Sequence, residues 1–396
     1  MKILQCHNLY QVPGGEDAVV NDERALLEAH GHHVVQYLRH NDEVNELGKL
    51  RVVAGTVWSR ASVRAIDDLI QAEQPDLVHI HNTMPLISPA VYRAIQKRGV
   101  PVVQTLHNYR LLCPKGTFYR DGAICEKCLN KSVKWPAVMH ACYRDSRAGS
   151  AVLTVMGTTH KALGTYTKHI DAFIATSNFA RSKVVAGGYP GERIHVKPNF
   201  EMHDPAPGSS GSGGGGGYAL YLGRLSPEKG IETLVAAWDR PGNTVPLKVA
   251  GTGPEEDAVG ALASRRANVE ALGFQSGDAL EEVLAGAEVL VMPSINYEGF
   301  PKAVAEGYAR GLPVLASELG TLAEVIEEGV TGRRVPHADP AALADAAKAM
   351  LADRDQLAAM RRNARRAYET KYNAEANYER LMEVYQIAIE HHAQRK

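Results

Sequence analysis

No apolar run in this sequence is long enough to cross a bilayer, and neither sign of charge is in excess. The longest weakly polar stretch, 148–160, is too short and too rich in Thr and Gly to span a membrane. The N-terminal "MKILQCHNLYQVPGG" lacks the long apolar segment and small-residue cleavage site of a secretory leader. Lys and Arg number 44 against 45 Asp and Glu, a net charge of −1, so no global field draws the chain to nucleic acid. The five cysteines come without other signs of an oxidising compartment. The glycine-rich "VAGTGP" at 249–254 does not have the G-x-G-x-x-G spacing of a dinucleotide site. These absences lead to the expectation of a cytoplasmic protein able to touch the inner face of the plasma membrane.

What is present is ordinary for a globular protein: 45% apolar and 22% charged residues. At 396 residues, two domains are expected. Short β-rich runs ("MKILQC", "HHVVQYL", "DLVHIH", "PVVQTL", "AFIATS", "RIHVKPN") alternate with helical patterns such as Glu16–His30 and "SVRAIDDLIQAEQ". That order predicts a parallel sheet covered by helices on both faces. "DPAPGSSGSGGGGG", 204–217, interrupts it with a composition that behaves as flexible coil. The alternation restarts directly afterwards with "YALYLG", "GIETLVAAWD", "LKVAG", "VEALGF", "AEVLVMPS" and "PVLAS". The expected organisation is an N-terminal domain over 1–203, a linker over 204–217 and a C-terminal domain over 218–372. A final amphipathic helix over 373–396 is placed either back on the first domain or within the second. In such α/β domains ligands bind beyond the carboxyl ends of the strands.

In the second half, three pieces fall at strand exits. "VLVMPS" leads through a loop to Pro301, read as the first helical position, where its missing N–H costs nothing. The helix predicted over Lys302–Arg310 offers an anion site at its start. Glu306 lies about 7–8 Å further along the axis at 1.5 Å per residue, and Glu298 lies on the other side, in the loop. A ligand with a central diphosphate would place a polyol near each glutamate, which is the layout of a nucleotide sugar. In "YLGRLSPEKG", Arg224 and Lys229 leave a strand end as two cations able to clamp a diphosphate. Gly251 and Gly253 let backbone approach a ligand. Taken singly, these charges read as solvated surface and these glycines as turns; their coincidence at strand exits argues otherwise.

"GRLSPEKGIETLVAA", "VAGTGP" and "EGFPKAVAEGYARGLPVLAS" resemble the retaining glycosyltransferases of family 4, which have the two-domain GT-B fold, two Rossmann-like domains facing a cleft. The E-x7-E spacing of Glu298 and Glu306 is the most specific mark. The resemblance implies that Glu298 contacts the donor sugar, Glu306 the ribose, and Arg224 and Lys229 the diphosphate. Gly299, Phe300 and Pro301 border the donor, and Asn199, Gly320 and Glu324 match further family positions. Gly307 and the Thr after Gly320 depart from the family pattern. In the first half, Gly14 and Gly15 match a glycine-rich loop facing the donor, and His107 in "VVQTLHN" matches a histidine beside the transferred sugar. A metal on His7, His81 and His107 is the rival reading, and satisfied strand-end histidines the plain one. No residue stands out as a covalent nucleophile, so front-face attack by an acceptor hydroxyl, without a catalytic metal, is expected. The single D-x-D, Asp353–Asp355, reads as solvated surface.

Four cysteines, Cys113, Cys125, Cys128 and Cys142, cluster as C-x11-C-x2-C-x13-C on an expected insertion near 110–147. They point either to a structural zinc or to four ordinary thiols. Residues 110–147 also carry eight Lys and Arg against three acidic residues, with Phe118 and Trp135 interleaved. This excess fits peripheral contact with anionic lipid, or binding of an anionic acceptor such as a pyrophosphate-linked glycan, or a solvated knuckle. No fold signature supports nucleic acid. The resulting expectation is a hexosyltransferase using a UDP- or GDP-sugar on a glycan or lipid-linked acceptor, in bacterial surface-polysaccharide biosynthesis. The alternatives are a nucleotide-sugar epimerase on the same fold and a non-enzymatic sensor.

Overall fold

The computed structural model describes residues 1–12, 14–205 and 214–395. The chain forms two compact units. The first comprises Met1–Phe118, Cys125–Pro198 and Asn377–Lys396; the second comprises Tyr119–Ile124 and Asn199–Ala376.

The first unit is built on six parallel strands: β1 (Lys2–Leu9), β2 (His33–His40), β3 (Leu77–Ile80), β4 (Val102–Leu106), β5 (Ala172–Ala175) and β6 (Ile194–Val196), in the order β2–β1–β3–β4–β5–β6. Every side chain of β1 from Ile3 to Asn8 is buried, as a strand covered on both faces requires. Helix α1 (Gly15–Ala29) follows β1 and stops at Gly31, whose φ of +77° ends the helical run. The C-terminal helix, Ala374–Gln394, contributes Leu381, Val384, Tyr385 and Ala388 to a core that also holds Ile3, Leu77, Val103 and Ile174.

The second unit repeats the plan with β7 (Tyr218–Leu222), β8 (Leu247–Ala250), β9 (Val269–Gly273), β10 (Ala287–Met292), β11 (Val314–Ser317) and β12 (Gly332–Val335). They pair in parallel in the order β9–β8–β7–β10–β11–β12. A short antiparallel hairpin, Tyr119–Arg120 with Ala123–Ile124, belongs to this unit although it lies inside the first half of the chain. The chain leaves the first unit at Pro198, ahead of the Gly/Ser run. Asp204 pairs with Arg365 at 2.6 Å, and Gly214 donates to the Ala285 carbonyl at 2.8 Å, so both described ends of that run are tied into the second unit. Positions 206–213 of the expected linker lie outside the described residues.

In each sheet the strand order reverses at one place, between β1 and β3 and between β7 and β10. Loops leave opposite ways from such neighbours and open a crevice at their carboxyl ends. His81, Gly14 and Gly15 follow the first pair; Arg224, Lys229 and Glu298 follow the second.

Candidate functional site

In the second unit the loops after β7 and β10 are locked together by backbone. Gly230, φ +74°, lies so close to the loop after β10 that a Cβ there would stand 1.9 Å from the Pro293 carbonyl oxygen. Gly251, φ +149°, would bring a Cβ to 1.8 Å from the Gly223 carbonyl oxygen, and Gly253 sits similarly against Leu225. The 251–253 segment runs beside 223–225, with Leu225 N–H bonded to the Thr252 carbonyl at 2.9 Å. The glycines therefore serve close backbone approach: they back the turn that carries Arg224, whose side chain is exposed.

Lys229 donates to both carboxylate oxygens of Glu298 at 2.8 Å. Glu298 is buried, and its position is further fixed by Ser294, whose hydroxyl donates to Oε1 at 2.7 Å, and by Thr321, whose hydroxyl donates to its backbone carbonyl at 2.8 Å. Sequence reasoning gave Ser294 no role and met Thr321 only as a departure from the family pattern after Gly320; a Ser four residues before Glu298 is the only local signal for the first contact. The helix after this loop is Lys302–Ala309, with Pro301 as its N-cap rather than its first helical residue, and no side chain caps it. Pro301 is extended at ψ 124°, which ends the loop one residue later than expected. Glu306 is half-buried one turn in, with Lys302 3.7 Å from its carboxylate. Phe300 packs in the core against Tyr372, and Asn199 holds its carbonyl at 2.7 Å, so Phe300 presents backbone at the helix start. Gly299 precedes it, half-buried. The structure thus brings Arg224, Lys229, Gly251, Gly253 and Glu298 to the carboxyl ends of β7, β8 and β10. Asp353 of the D-x-D caps the helix Arg354–Ala367 through the Gln356 N–H.

The first unit has its own polar cluster. Gly14 caps α1, and its N–H donates to Asp17 Oδ2 at 3.0 Å, while Asp17 Oδ1 lies 2.7 Å from His7 Nε2. A Cβ on Gly14 would meet nothing within 4 Å, so the loop faces open space there. His107, just past β4, shares one proton between its Nε2 and His81 Nδ1 at 2.9 Å. Behind His81 lies Glu23, with Oε2 3.4 Å from His81 and 3.7 Å from His79, and Oε1 2.5 Å from Lys197 Nζ. His79 is also held by Tyr385 and Thr105, each at 2.8 Å. Burial pushes the His79 imidazolium down to about 4 and those of His81 and His107 well below the usual histidine range. These rings are neutral at pH 7, and Lys197 supplies the charge that balances Glu23.

Glu23 and Lys197 are functional-looking residues that the sequence gave no reason to select, since they stand 174 positions apart. Glu16, at the start of α1, is another: burial raises its carboxyl, and Tyr10 donates to it at 2.9 Å. Among the described residues, one group brings three metal-binding atoms within 4.8 Å of one another: Glu23, His79 and His81. With the Lys197 ammonium against Glu23, that site already has its cation. The four cysteines do not converge to that degree. Cys113 and Cys142 act on Cys128, whose thiol is pushed up to about 11 by burial first and by those neighbours second. A zinc ion there would have to draw the sulfurs together and hold them as thiolates. Among the described residues, no helix is long and apolar enough to cross a membrane.

Comparison with known proteins bears on both units. The Glycosyl transferase 4-like domain model matches residues 14–199, and the Glycosyl transferases group 1 model matches 205–367. The alpha-D-kanosaminyltransferase of Streptomyces kanamyceticus is 26% identical over 300 residues, 72% of this chain and 70% of that protein. The phosphatidyl-myo-inositol mannosyltransferase of Mycobacterium leprae is 32% identical over 185 residues, 45% of this chain. The chain spans about half of that relative's length, 49%. Among solved structures, Anabaena HepE in complex with UDP and glucose superposes with a TM-score of 0.67 at 18% identity, covering 98% of this chain and 99% of that one. The two parallel-sheet domains are those of the GT-B fold.

Proposed function

From a chain that carries a glycosyltransferase 4-like domain followed by a glycosyltransferase group 1 domain, we propose a retaining, metal-independent hexosyltransferase. It moves a sugar from a nucleotide-sugar donor to a hydroxyl of a glycan or lipid-linked acceptor in surface-polysaccharide biosynthesis. The observation that carries the reading is the Lys229–Glu298 pair at the β7/β10 reversal, with Arg224 on the adjoining turn. Two cations stand where a diphosphate leaving group gains charge, and stabilising that charge is the largest task in such a transfer. The Lys229 ammonium has three protons, so pairing with Glu298 aims it and leaves capacity for a phosphate oxygen. Glu298, held by Ser294 and Thr321, positions the sugar. Glu306 takes the ribose, and Gly251, Gly253, Gly299 and Pro301 give backbone access to the donor.

In the first unit, His107 acts as a hydrogen-bond partner for a sugar hydroxyl, oriented by His81. The acceptor oxygen attacks the anomeric carbon from the face the diphosphate leaves. The C–O bond to phosphate breaks as the new C–O bond forms, and the acceptor proton passes to the departing phosphate oxygen. Enzyme action at the inner face of the plasma membrane is supported by the basic window at 110–147. A structural zinc on Cys113, Cys125, Cys128 and Cys142 completes the proposal.

The test is incubation of the full chain with UDP- and GDP-sugars, UDP-glucose first because HepE is seen with UDP and glucose. Released nucleoside diphosphate is followed with and without glycan acceptors, and the anomeric configuration of the product is read by NMR. Release with retained configuration is expected. An altered sugar with no release, or an inverted product, overturns the proposal.

A further inference from the structure

The face of the first sheet that meets α1 carries a chain of polar side chains leading to His107. Gln5 of β1 and Gln36 of β2 are direct cross-strand partners, and His79 of β3 is the partner of Gln5 on its other side. Residues in register share a face of the sheet, and His81 follows His79 by two residues, the spacing that keeps it there.

The chain has a direction. Arg24 of α1 can only donate, and its Nη1 lies 2.9 Å from Gln36 Oε1. Gln36 therefore turns its amide nitrogen toward Gln5 Oε1, at 2.7 Å. Gln5 in turn presents its nitrogen, whose two protons go to the Val20 carbonyl at 3.1 Å and to His81 Nε2 at 3.4 Å. A carbonyl can only accept, so Val20 fixes the same orientation of the Gln5 amide independently of Arg24. Gln5 is fully buried, which leaves its amide no water as an alternative partner.

A neutral imidazole has one N–H and one bare nitrogen. His81 accepts at Nε2, so its proton stands on Nδ1, which faces His107 Nε2 at 2.9 Å. His107 accepts there, and its own proton stands on Nδ1. Burial keeps both rings neutral. No described residue hydrogen-bonds His107 Nδ1, and the ring lines a cavity with Asn82, Gln104 and Asn108.

Glu23 opposes this order, because an anion favours a proton on the nitrogen nearest to it. Its Oε2 stands 3.4 Å from His81 Nε2, no closer than Gln5, and makes no hydrogen bond among the described residues. Lys197 meets the charge at Oε1, 2.5 Å away, so the aligned Gln5 donor decides.

We propose that Gln5, oriented by Val20 and by the Arg24–Gln36 pair, holds His81 and His107 as their Nδ1–H tautomers, so that His107 gives a hydrogen bond to a sugar oxygen and takes none. Gln5, Gln36 and Arg24 are positioning residues that act through His81. The sugar contact rests on the glycosyltransferase reading; the tautomer is a property of the free chain. A contact of this kind reads a lone pair and is indifferent to whether the oxygen carries a proton.

Ring-nitrogen NMR of isotopically labelled histidine in the full chain, near neutral pH, tests the relay. The two signals are assigned by their loss in His107→Asn and His81→Asn. Protonated Nδ1 and bare Nε2 are expected for both rings. Gln5→Met keeps the length of the side chain and removes the donor, so Glu23 alone faces His81 Nε2 and both protons move to Nε2. Acceptor-free release of nucleoside diphosphate from UDP-glucose, followed in the same preparations, then falls about tenfold, the loss of one neutral hydrogen bond to the sugar. A bare Nδ1 on His107 in the unaltered chain overturns the proposal, and does so even where Gln5→Met fails to fold. A tautomer that Gln5→Met leaves unchanged also overturns it, as does release at the full rate after the protons have moved. The expected tautomer in a chain inert toward every donor sinks the transferase reading instead and leaves the relay standing.

Discussion

Lys197→Met tests the energetics of the first unit most directly. The Lys197 side chain is 1% exposed and Glu23 is 0% exposed, with 2.5 Å between nitrogen and oxygen. Lys197 also reaches Asn377 Oδ1 at 3.1 Å, which ties the C-terminal helix to the same pair. Methionine matches the length of the lysine stem but leaves the Glu23 carboxylate in a dry site. Its remaining neighbours, His79 and His81, are held neutral by burial and cannot replace the charge without taking up a proton. Removing one partner of a buried pair costs about 3–5 kcal/mol, chiefly the exposure of the other to an uncompensated desolvation. For a domain of 150–250 residues, about 1 kcal/mol lowers the melting temperature by roughly 2–4 °C. The expected fall is therefore about 6–20 °C by calorimetry on the full chain. Glu23→Gln should cost a similar amount, and the double variant Glu23→Gln/Lys197→Met should lose much less than the sum, because it removes both charges. If each single variant shifts melting by no more than a degree or two and the effects add, the pair contributes no more than a surface salt bridge and the reasoning fails.

Acidification should destabilise the first unit. An unfolded histidine takes a proton near 6.5, whereas His79 does so only at about 4, so stability is complete above pH 6.5 and falls as pH drops toward 4. His79 alone gives a loss of about 2 kcal/mol by pH 5, and His81 and His107 shift in the same direction; melting at pH 7.5 and 5 measures it. Lys229→Ala should slow transfer about 10²–10³-fold, mainly in kcat, and near-normal turnover would remove Lys229 from leaving-group stabilisation. Gly251→Ala places a Cβ 1.8 Å from the Gly223 carbonyl and must move the Arg224 turn, so donor binding by calorimetry should weaken while the first unit's melting is unchanged. If zinc binds the cysteine cluster, the purified protein carries one equivalent and chelation lowers its melting temperature; metal-free protein with four freely titrating thiols would show otherwise.

Much of the fold was legible because buried parallel strands leave a strong mark. "AFIA" is apolar throughout and "AEVLVM" apolar but for Glu288, while "KILQCHNL" opens, after Lys2, on an apolar pair, and the spacing of such runs by helical patterns pointed to the α/β class. The missed elements break that contrast. "GRRV" forms the edge strand β12 although two of its four residues are cationic. "RAGSAVLTVMGTTHKA" forms a 16-residue helix despite its Gly, Thr and Val content, because tertiary burial of Leu153, Thr154 and Met156 outweighs weak propensity. Motif positions such as Arg224, Lys229 and Glu298 were found from local spacing alone. Their pairing was not, since Lys229 and Glu298 stand 69 positions apart and both were assigned to a ligand rather than to each other. Lys197 and Glu23 carry no local signature at all, because a buried pair is visible only once two distant strands and a helix are assembled.

The two units solve one problem differently. In the second, the charged groups that the proposal sets against a diphosphate stand on turns stiffened by backbone contact: Gly230 against Pro293 and Gly251 against Gly223 leave the Lys229 and Arg224 turns little room to yield. That rigidity lowers the reorganisation needed when charge develops on a leaving group. In the first, the His81 ring bonded to His107 is kept neutral by burial, and what stiffens it is a buried charge pair behind: Lys197 fixes Glu23, Glu23 faces His81, and His81 holds His107. A neutral ring positioned this way can orient a hydroxyl without competing electrostatically with the cations that a diphosphate requires. A charged imidazolium at His107 would instead attract phosphate itself. Under the proposed function, the burial that keeps it neutral separates the handling of sugar hydroxyls from that of phosphate charge, which the proposal gives to Arg224 and Lys229.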